Sequence, residues 1–292
     1  MVSRRKFIQQ SSLLASALMV NKTDLFKMHK DLGLQLYTVR NEVKDLKNAL
    51  QKIAAAGYTN LELYGYNNRM FFGNTVTQFA ALLKQNNLKT VSGHYGLADM
   101  LYSPDYNWDS WKYLIEDATI LGHKYVTIPY LDDKHRTGDD FKRVAERLQK
   151  GGELSKEAGI ITAYHNHNFE FEKEGDITKY EILLNNTDPK LVKFEMDLYW
   201  VAYAQQNPAD WFKKYPGRFA MWHIKDMEAA TAAAPKGQTC EVGKGIIDWK
   251  TIFTSQKLAG LDYAFVEQEQ YRRPVFDCIK TSANYMKKNL LK

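Results

Sequence analysis

Two cysteines, Cys240 and Cys278, are all that 292 residues offer for covalent cross-linking, and two do not make a disulfide framework. A chain so poor in cysteine is held by its buried core. Seven prolines and 17 glycines are scattered, with no Pro-, Gly- or Ser-rich linker to mark a boundary between domains. No apolar run approaches the roughly 20 residues needed to cross a bilayer. No Gly-x-Gly-x-x-Gly follows the first strand-like run, which weakens a dinucleotide-binding reading. No basic stretch interleaved with aromatics occurs in 31–292, as a nucleic-acid groove would need. What is present is an ordinary globular composition: 45% hydrophobic and 25% charged residues, with 40 Lys+Arg against 34 Asp+Glu for a net charge of +6.

Three of those six positive charges are Arg4, Arg5 and Lys6, and residues 1–17 contain no acid. Ser3-Arg4-Arg5-Lys6-Phe7-Ile8 precedes the small-residue apolar stretch Ser11 to Val20, with a candidate cut after Ala15-Ser16-Ala17. The segment resembles a bacterial twin-arginine export signal, and the resemblance implies a periplasmic protein exported after folding. Residues 1–30 are then export signal and linker, and 31–292 the working domain. A basic amphipathic N-terminal helix is the plainer alternative. On the export reading the basic excess is mostly an address and not a sign of nucleic acid.

From Asp31 onward, short apolar runs alternate with longer amphipathic segments. Strands are expected at Leu32 to Tyr37, Thr59 to Tyr64, Lys89 to Tyr95, Lys124 to Pro129, Ile160 to His165, Val192 to Asp197, Phe219 to Lys225 and Tyr263 to Glu267. Helices are expected at Asp45 to Ala56, Val76 to Asn86, Trp108 to Leu121, Asp139 to Ala158, Ile177 to Leu184, Trp249 to Lys257 and Pro274 to Asn289. Gly57, Gly122, Gly159 and Gly260 stand where a left-handed cap would end a helix. This alternation predicts a single-domain α/β protein, a (β/α)8 TIM barrel, whose chemistry sits at the C-terminal ends of the strands.

Those ends carry Gln35 and Tyr37, Glu62, His94, Tyr130, His165 and His167, Glu195 and Asp197, His223 and Lys225, and Glu267 and Glu269. Residues i and i+2 on a strand share a face, so the paired ones project together into one mouth. Any one of them is more often an internally bonded structural residue. Asp, His and Glu converging from successive strands point instead to a divalent ion, which needs ligands from separate elements.

The same stretches carry a family likeness: Gly33-Leu34-Gln35-Leu36-Tyr37-Thr38-Val39-Arg40, Ser92-Gly93-His94, Tyr164-His165-Asn166-His167-Asn168-Phe169-Glu170-Phe171, Glu195-Met196-Asp197-Leu198-Tyr199-Trp200, Trp222-His223-Ile224-Lys225-Asp226, Val242 to Trp249, and Val266-Glu267-Gln268-Glu269. Together they resemble the xylose-isomerase-like (sugar phosphate isomerase/epimerase) superfamily of metal-dependent barrels. The resemblance implies one divalent ion (Mn, Co, Mg or Zn) held by Asp197, His223 and Glu267, with His165 where the family usually has Glu. Glu170, five residues on, is the other candidate for that place. It further implies catalytic roles for Glu267, His165, His94 and Lys225, and substrate contacts from Gln35, Tyr37, Glu62, His167, Glu170, Trp200 and Glu269. Tyr130, Tyr199 and Trp222 add aromatic faces for sugar stacking, and Asp226, Met227 and Ala229 to Ala234 read as a mobile loop over the mouth.

Chelated by a sugar's carbonyl and hydroxyl, such an ion eases removal of the proton α to the carbonyl. Reprotonation gives an isomer or epimer, the outcome expected across the family. Loss of a β-substituent gives a lyase or dehydratase, and an imidazole in place of one Glu suits that better. The expected substrate is a small carbohydrate, a keto-sugar or 3-keto-glycoside. A non-catalytic sugar-binding module and an apurinic-endonuclease-like phosphoesterase are the rival classes. Oligomeric state is left open, a homo-oligomer included.

Overall fold

Every expected strand forms, all but Val192–Asp197 slightly shortened, and all eight lie in one parallel sheet. They are β1 Gly33–Gln35, β2 Asn60–Leu63, β3 Lys89–Gly93, β4 Tyr125–Ile128, β5 Ile161–His165, β6 Val192–Asp197, β7 Met221–Ile224 and β8 Tyr263–Val266. The computed structural model describes residues 31–232 and 234–291. The expected export signal, at residues 1–30, lies outside the described residues. Strand order is β3-β2-β1-β8-β7-β6-β5-β4. The circle closes between β3 and β4, where Lys124 N donates to Val91 O (2.8 Å) and Tyr95 N to Thr127 O (2.9 Å). This is the (β/α)8 barrel that the alternation predicts.

The main helices are α1 Leu46–Ala55, α2 Val76–Gln85, α3 Asp109–Leu121, α4 Gly138–Ser155, α5 Lys179–Asn185, α6 Pro208–Lys214, α7 Trp249–Phe253 and α8 Val275–Asn289. Gly57, Gly122, Gly159 and Gly260 all take positive φ, between 70° and 96°, as their placement after helices requires. The sequence reading has no helix between β6 and β7. The structure has two, Leu198–Tyr203 and α6, both too short for a 3.6-residue period to declare itself. Pro208 opens α6 at its first turn under an Asn207 cap. The helix expected over Trp249 to Lys257 is broken into α7 and Gln256–Ala259.

Most of the core lies between the sheet and the helices. A separate cluster of Val91, Tyr125, Ala163, Met221, Tyr263 and Phe265 fills the lower barrel. Strand alternation explains it: Phe265 and Met221 precede Glu267 and His223 by two, so they share an inward face one layer down. Gly33 belongs to that packing, because a Cβ there would fall 2.5 Å from the Phe265 ring and 2.6 Å from Ala264 O.

Beyond β7 the chain is anchored rather than loose. Asp226 and Met227 are buried and pair antiparallel with Thr239 and Cys240. The Asp226 carboxylate accepts from Gly243 N (2.8 Å), Gly245 N (3.2 Å) and Trp249 Nε1 (2.9 Å). The two residues read as part of a mobile loop are therefore its fixed base, and among the described residues of the loop 229–232 are exposed. Thr239 Oγ1 in turn accepts from Glu269 N (3.0 Å) and Gln270 N (2.9 Å), bracing the end of β8. Among the described residues, no helix is long and apolar enough to cross a membrane.

Candidate active site

The top inward layer of the barrel is polar. Registers β5 to β6 and β6 to β7 set His165 beside Glu195 and Asp197 beside His223, and Glu267 follows β8 directly. One nitrogen or carboxylate oxygen from each of His165, Asp197, His223 and Glu267 lies within 4.8 Å of the others. These are the four residues expected to hold a metal. A second, overlapping group of His94, His165, Glu195 and His223 is as tightly gathered, with Glu195 one inward layer below Asp197 on β6.

The orientation of each side chain has a local cause. Asp197 ends β6 and caps the helix Leu198–Tyr203, its Oδ1 accepting from Tyr199 N (2.9 Å) and Trp200 N (3.2 Å). That turns Oδ2 inward, 3.5 Å from His165 Nε2 and 3.4 Å from Lys225 Nζ. Asn166 Oδ1 accepts from Asp197 N (3.1 Å) and ties the end of β5 to β6. The His165 Nδ1 edge meets Pro129 O at 3.2 Å, and since a carbonyl only accepts, Nδ1 carries the proton. In the neutral ring that a metal ligand requires, the lone pair falls on Nε2, which is buried without a hydrogen-bond partner among the described residues. A backbone carbonyl behind a histidine with a free inner nitrogen is the arrangement of a metal-ligating imidazole. Glu195 Oε1 is a second buried atom without such a partner.

His223 is surrounded by carboxylates: Nε2 lies 2.6 Å from Glu62 and 3.2 Å from Glu195, and Nδ1 3.0 Å from Glu267 and 3.7 Å from Asp197. Burial disfavours its charge, but Glu195 and Glu267 outweigh it and raise its pKa well above the usual value. His94, with Nε2 2.7 Å from Glu195, is likewise raised by Glu62 and Glu195 against its burial. Burial would push Glu267 and Asp197 up, yet Lys225 and the histidines hold both carboxylates well below the ordinary range. Lys225 bonds Glu267 (3.1 Å) and Glu269 as well as Asp197, which keeps it charged despite complete burial. His165, Asp197, His223 and Glu267 are four donors of the N,N,O,O type that could hold a divalent cation.

Above the cluster a cavity of about 440 Å³ is lined by Tyr37, Tyr64, Gly65, His94, Gly96, Pro129, Tyr130, His165, His167, Trp200, Lys225, Glu267 and Glu269. Most of the expected site residues thus meet here. Asp197 and His223, buried in the ligand cluster, do not line it, and neither do Gln35, Glu62, Glu170, Tyr199 and Trp222. Gln35 and Glu62 are wholly buried beneath, Gln35 Nε2 donating to Glu62 (2.8 Å) and Ser92 Oγ to the other Glu62 oxygen (2.6 Å). Glu62 braces His223 and His94 from below instead of closing the pocket.

Glu170 sits on the turn Phe169–Phe171, fully buried, its carboxyl taken by the Tyr164 hydroxyl (2.7 Å) and His167 N (2.9 Å). It buttresses the loop and is in neither metal-binding group. Trp222 alternates away from His223 and stacks on Phe212 in the helix layer (5.0 Å between centroids). Tyr199 is buried too. Sequence reasoning gave no role to Ser92, Asn166 or Glu195. Glu195 carried a signal, its i, i+2 spacing to Asp197, whereas the others are visible only through their partners.

Burial pushes the Glu170 carboxyl up to about 7, against hydrogen bonds that pull it down. The folded chain therefore keeps a proton that the unfolded chain, with a pKa near 4.3, loses first. Stability attributable to this group is full below that value and drains away as pH rises to about 7. Glu170→Gln, which cannot ionise, is expected to gain on the parent by on the order of 3 kcal/mol between pH 5 and pH 8. Thermal melts across that range read the difference; parallel curves would contradict it.

Comparison with known proteins agrees with this geometry. The sequence model of a family described as xylose isomerase-like TIM barrel matches residues 50–288. A sugar phosphate isomerase/epimerase from Parabacteroides distasonis is 30% identical with a TM-score of 0.78, the match covering 91% of this chain and 96% of that one. An inosose dehydratase from Lacticaseibacillus casei is 30% identical over 155 residues, 48% of this chain and 51% of that protein. The chain thus spans about half the length of the curated relatives it matches. The IOLI protein with a bound zinc atom shares the fold, with a TM-score of 0.67 at 16% identity over 89% of this chain and 98% of that one.

Proposed function

Because the chain belongs to the xylose isomerase-like TIM-barrel family, we propose that it is a metal-dependent sugar enzyme that removes the proton α to a keto-sugar's carbonyl. The observation that carries this reading is the ligand cluster under the cavity, above all the buried, unpartnered His165 Nε2 beside Asp197, His223 and Glu267. Two imidazoles and two carboxylates suit Mn, Co or Zn better than Mg. The zinc of the similar IOLI protein is in keeping with that. His165, Asp197, His223 and Glu267 would hold the ion, and a divalent ion held there would supply polarisation of a carbonyl, lowering the barrier to removing the neighbouring proton.

The chain's own residues supply the rest. Glu267 takes the proton from carbon, and Lys225, already within reach of Glu267 and Glu269, offsets negative charge on the substrate oxygen. His167 and Trp200 line the cavity and offer a substrate their rings, since His167 Nδ1 and Trp200 Nε1 are themselves buried. Tyr37 adds an aromatic wall.

The fate of the deprotonated sugar follows from an asymmetry. The carboxylates lining the cavity, Glu267 and Glu269, both follow β8, while β3 and β5 contribute imidazoles: His94, His165 and His167. Unlike groups favour elimination over the symmetric proton exchange of a two-glutamate epimerase. For a 3-keto-glycoside, Glu267 takes the C2 proton, the C–H electron pair becomes the C1–C2 double bond, and the C1–O bond breaks. His94 protonates the departing oxygen. The inosose dehydratase similarity supports the same class, and the isomerase/epimerase similarity supports the alternative of reprotonation. The basic N-terminal segment supports work outside the cytoplasm.

Incubation with a 3-keto-glycoside, followed by NMR, separates the two fates. Elimination predicts a released aglycone and a new vinylic proton signal. An isomer that keeps its aglycone would overturn that reading in favour of isomerisation.

A further inference from the structure

A second cavity, of about 510 Å³, adjoins the first and is lined by Gly96, Leu97, Ala98, Leu101, Tyr102, Pro129, Tyr130, Asp132 and Asp133. Gly96, Pro129 and Tyr130 line both. Gly96, on their shared border, leaves open space, since an added Cβ there would meet nothing within 4 Å. Each lobe alone falls in the range of about 300 to 1,000 Å³ that accommodates a small ligand. One monosaccharide fills neither completely, and the outer lobe has no part in holding the metal.

The outer lobe has two unlike walls. Leu97, Ala98 and Leu101, on and before the helix Ala98–Tyr102, form an apolar side. Asp132 and Asp133 form the other, joined to it by tyrosines: the Tyr130 hydroxyl donates to Asp133 (3.1 Å) and the Tyr102 hydroxyl accepts from Asp132 N (2.7 Å). An apolar face opposite hydrogen-bond acceptors matches a sugar ring, whose C–H surface stacks while its hydroxyls donate. Among the described residues no Lys or Arg lines this lobe, and Arg136 is occupied by Asp133 and Leu131 O. A phosphate would meet carboxylates without a cation, an unfavourable placement.

We propose that the outer lobe is the site for a second, uncharged ring, so that the substrate is a two-ring keto-glycoside with the oxidised ring over the metal ligands and its aglycone sugar beyond Tyr130. This rests on the proposed keto-sugar reaction for its orientation, but the lobe can be tested without turnover. Gly96 and Tyr130 touch both lobes, whereas Ala98 is exposed and lines the outer lobe alone. Ala98→Trp fills that lobe and spares the metal-side cavity.

Saturation-transfer NMR with cellobiose, which carries no ketone and cannot react, should show both rings contacting the parent protein and only one contacting A98W. With 3-keto-cellobiose and 3-keto-glucose as substrates, the parent should prefer the two-ring compound by tenfold or more in kcat/KM. A98W should lose that preference through KM, its rate on the single ring unchanged. One ring contacting the parent, or equal preference in parent and variant, would overturn the outer site. Both rings contacting a protein that turns over neither ketone would leave the outer site standing and refute the reaction instead. A preference for an anionic sugar phosphate over the neutral pair would also overturn it.

Discussion

Glu267→Gln is expected to lower turnover by about 10³-fold, and proton removal from substrate with it, because general-base groups contribute about 10² to 10⁴. The amide cannot take a proton from carbon, and it is a poorer partner for a divalent ion than a carboxylate. The fold should survive. Lys225 keeps Asp197 and Glu269 as partners after the change, and His223 keeps Glu62 and Glu195, so no buried cation is left alone. A thermal midpoint close to the parent's, together with the lost turnover at saturating metal, would assign the effect to chemistry. More than a tenth of the parental kcat would remove Glu267 from the role of base.

Removal of the His165 imidazole should act mainly on the metal. Changes to groups that merely support a ligand cost 10- to 100-fold in metal affinity, so loss of a direct ligand should cost about 100-fold or more. His165→Gln keeps most of the buried volume while withdrawing the ring nitrogen, and titration calorimetry against Mn, Co and Zn measures the result. Asp197→Asn is expected to share the loss. Glu195→Gln is expected to spare it, because Glu195 belongs to the deeper group and its carboxylate is engaged by His94 and His223. If Glu195→Gln loses the ion and Asp197→Asn retains it, the deeper group is the metal site. Unchanged affinity in His165→Gln would exclude both groups.

The barrel was legible because its determinants are local and repeated: apolar runs of strand length, helices between them, and glycine at the helix ends. The two helices between β6 and β7 escaped because each is too short to show a period. The metal cluster was legible for a related reason. Strand alternation fixes which residues share a face, so His223 with Lys225 and Glu195 with Asp197 declare their common direction without any knowledge of contacts.

Depth is not encoded that way. Glu62 and Gln35 end their strands as the site residues do, yet lie beneath the cavity floor, since the stagger of a barrel decides which inward residue reaches the mouth. Glu170 was misplaced because the turn Phe169–Phe171 folds back under Tyr164, and a tyrosine hydroxyl waiting six residues earlier leaves no pattern in the sequence. Trp222 takes the core place that is the commoner one for a single aromatic: the parity that sends His223 inward sends it out.

The central claim is that a divalent ion at His165, Asp197, His223 and Glu267 drives proton removal next to a carbonyl. Its most direct test is deuterium wash-in, followed by proton NMR, when a 3-keto sugar is incubated in deuterium oxide with protein stripped of metal by a chelator and then reloaded with one equivalent of Mn, Co or Zn. Loss of the signal from the carbon beside the ketone, absent in the stripped protein and restored by one equivalent, is the predicted result. Wash-in at the same rate in stripped and reloaded protein, or none in either, would contradict it.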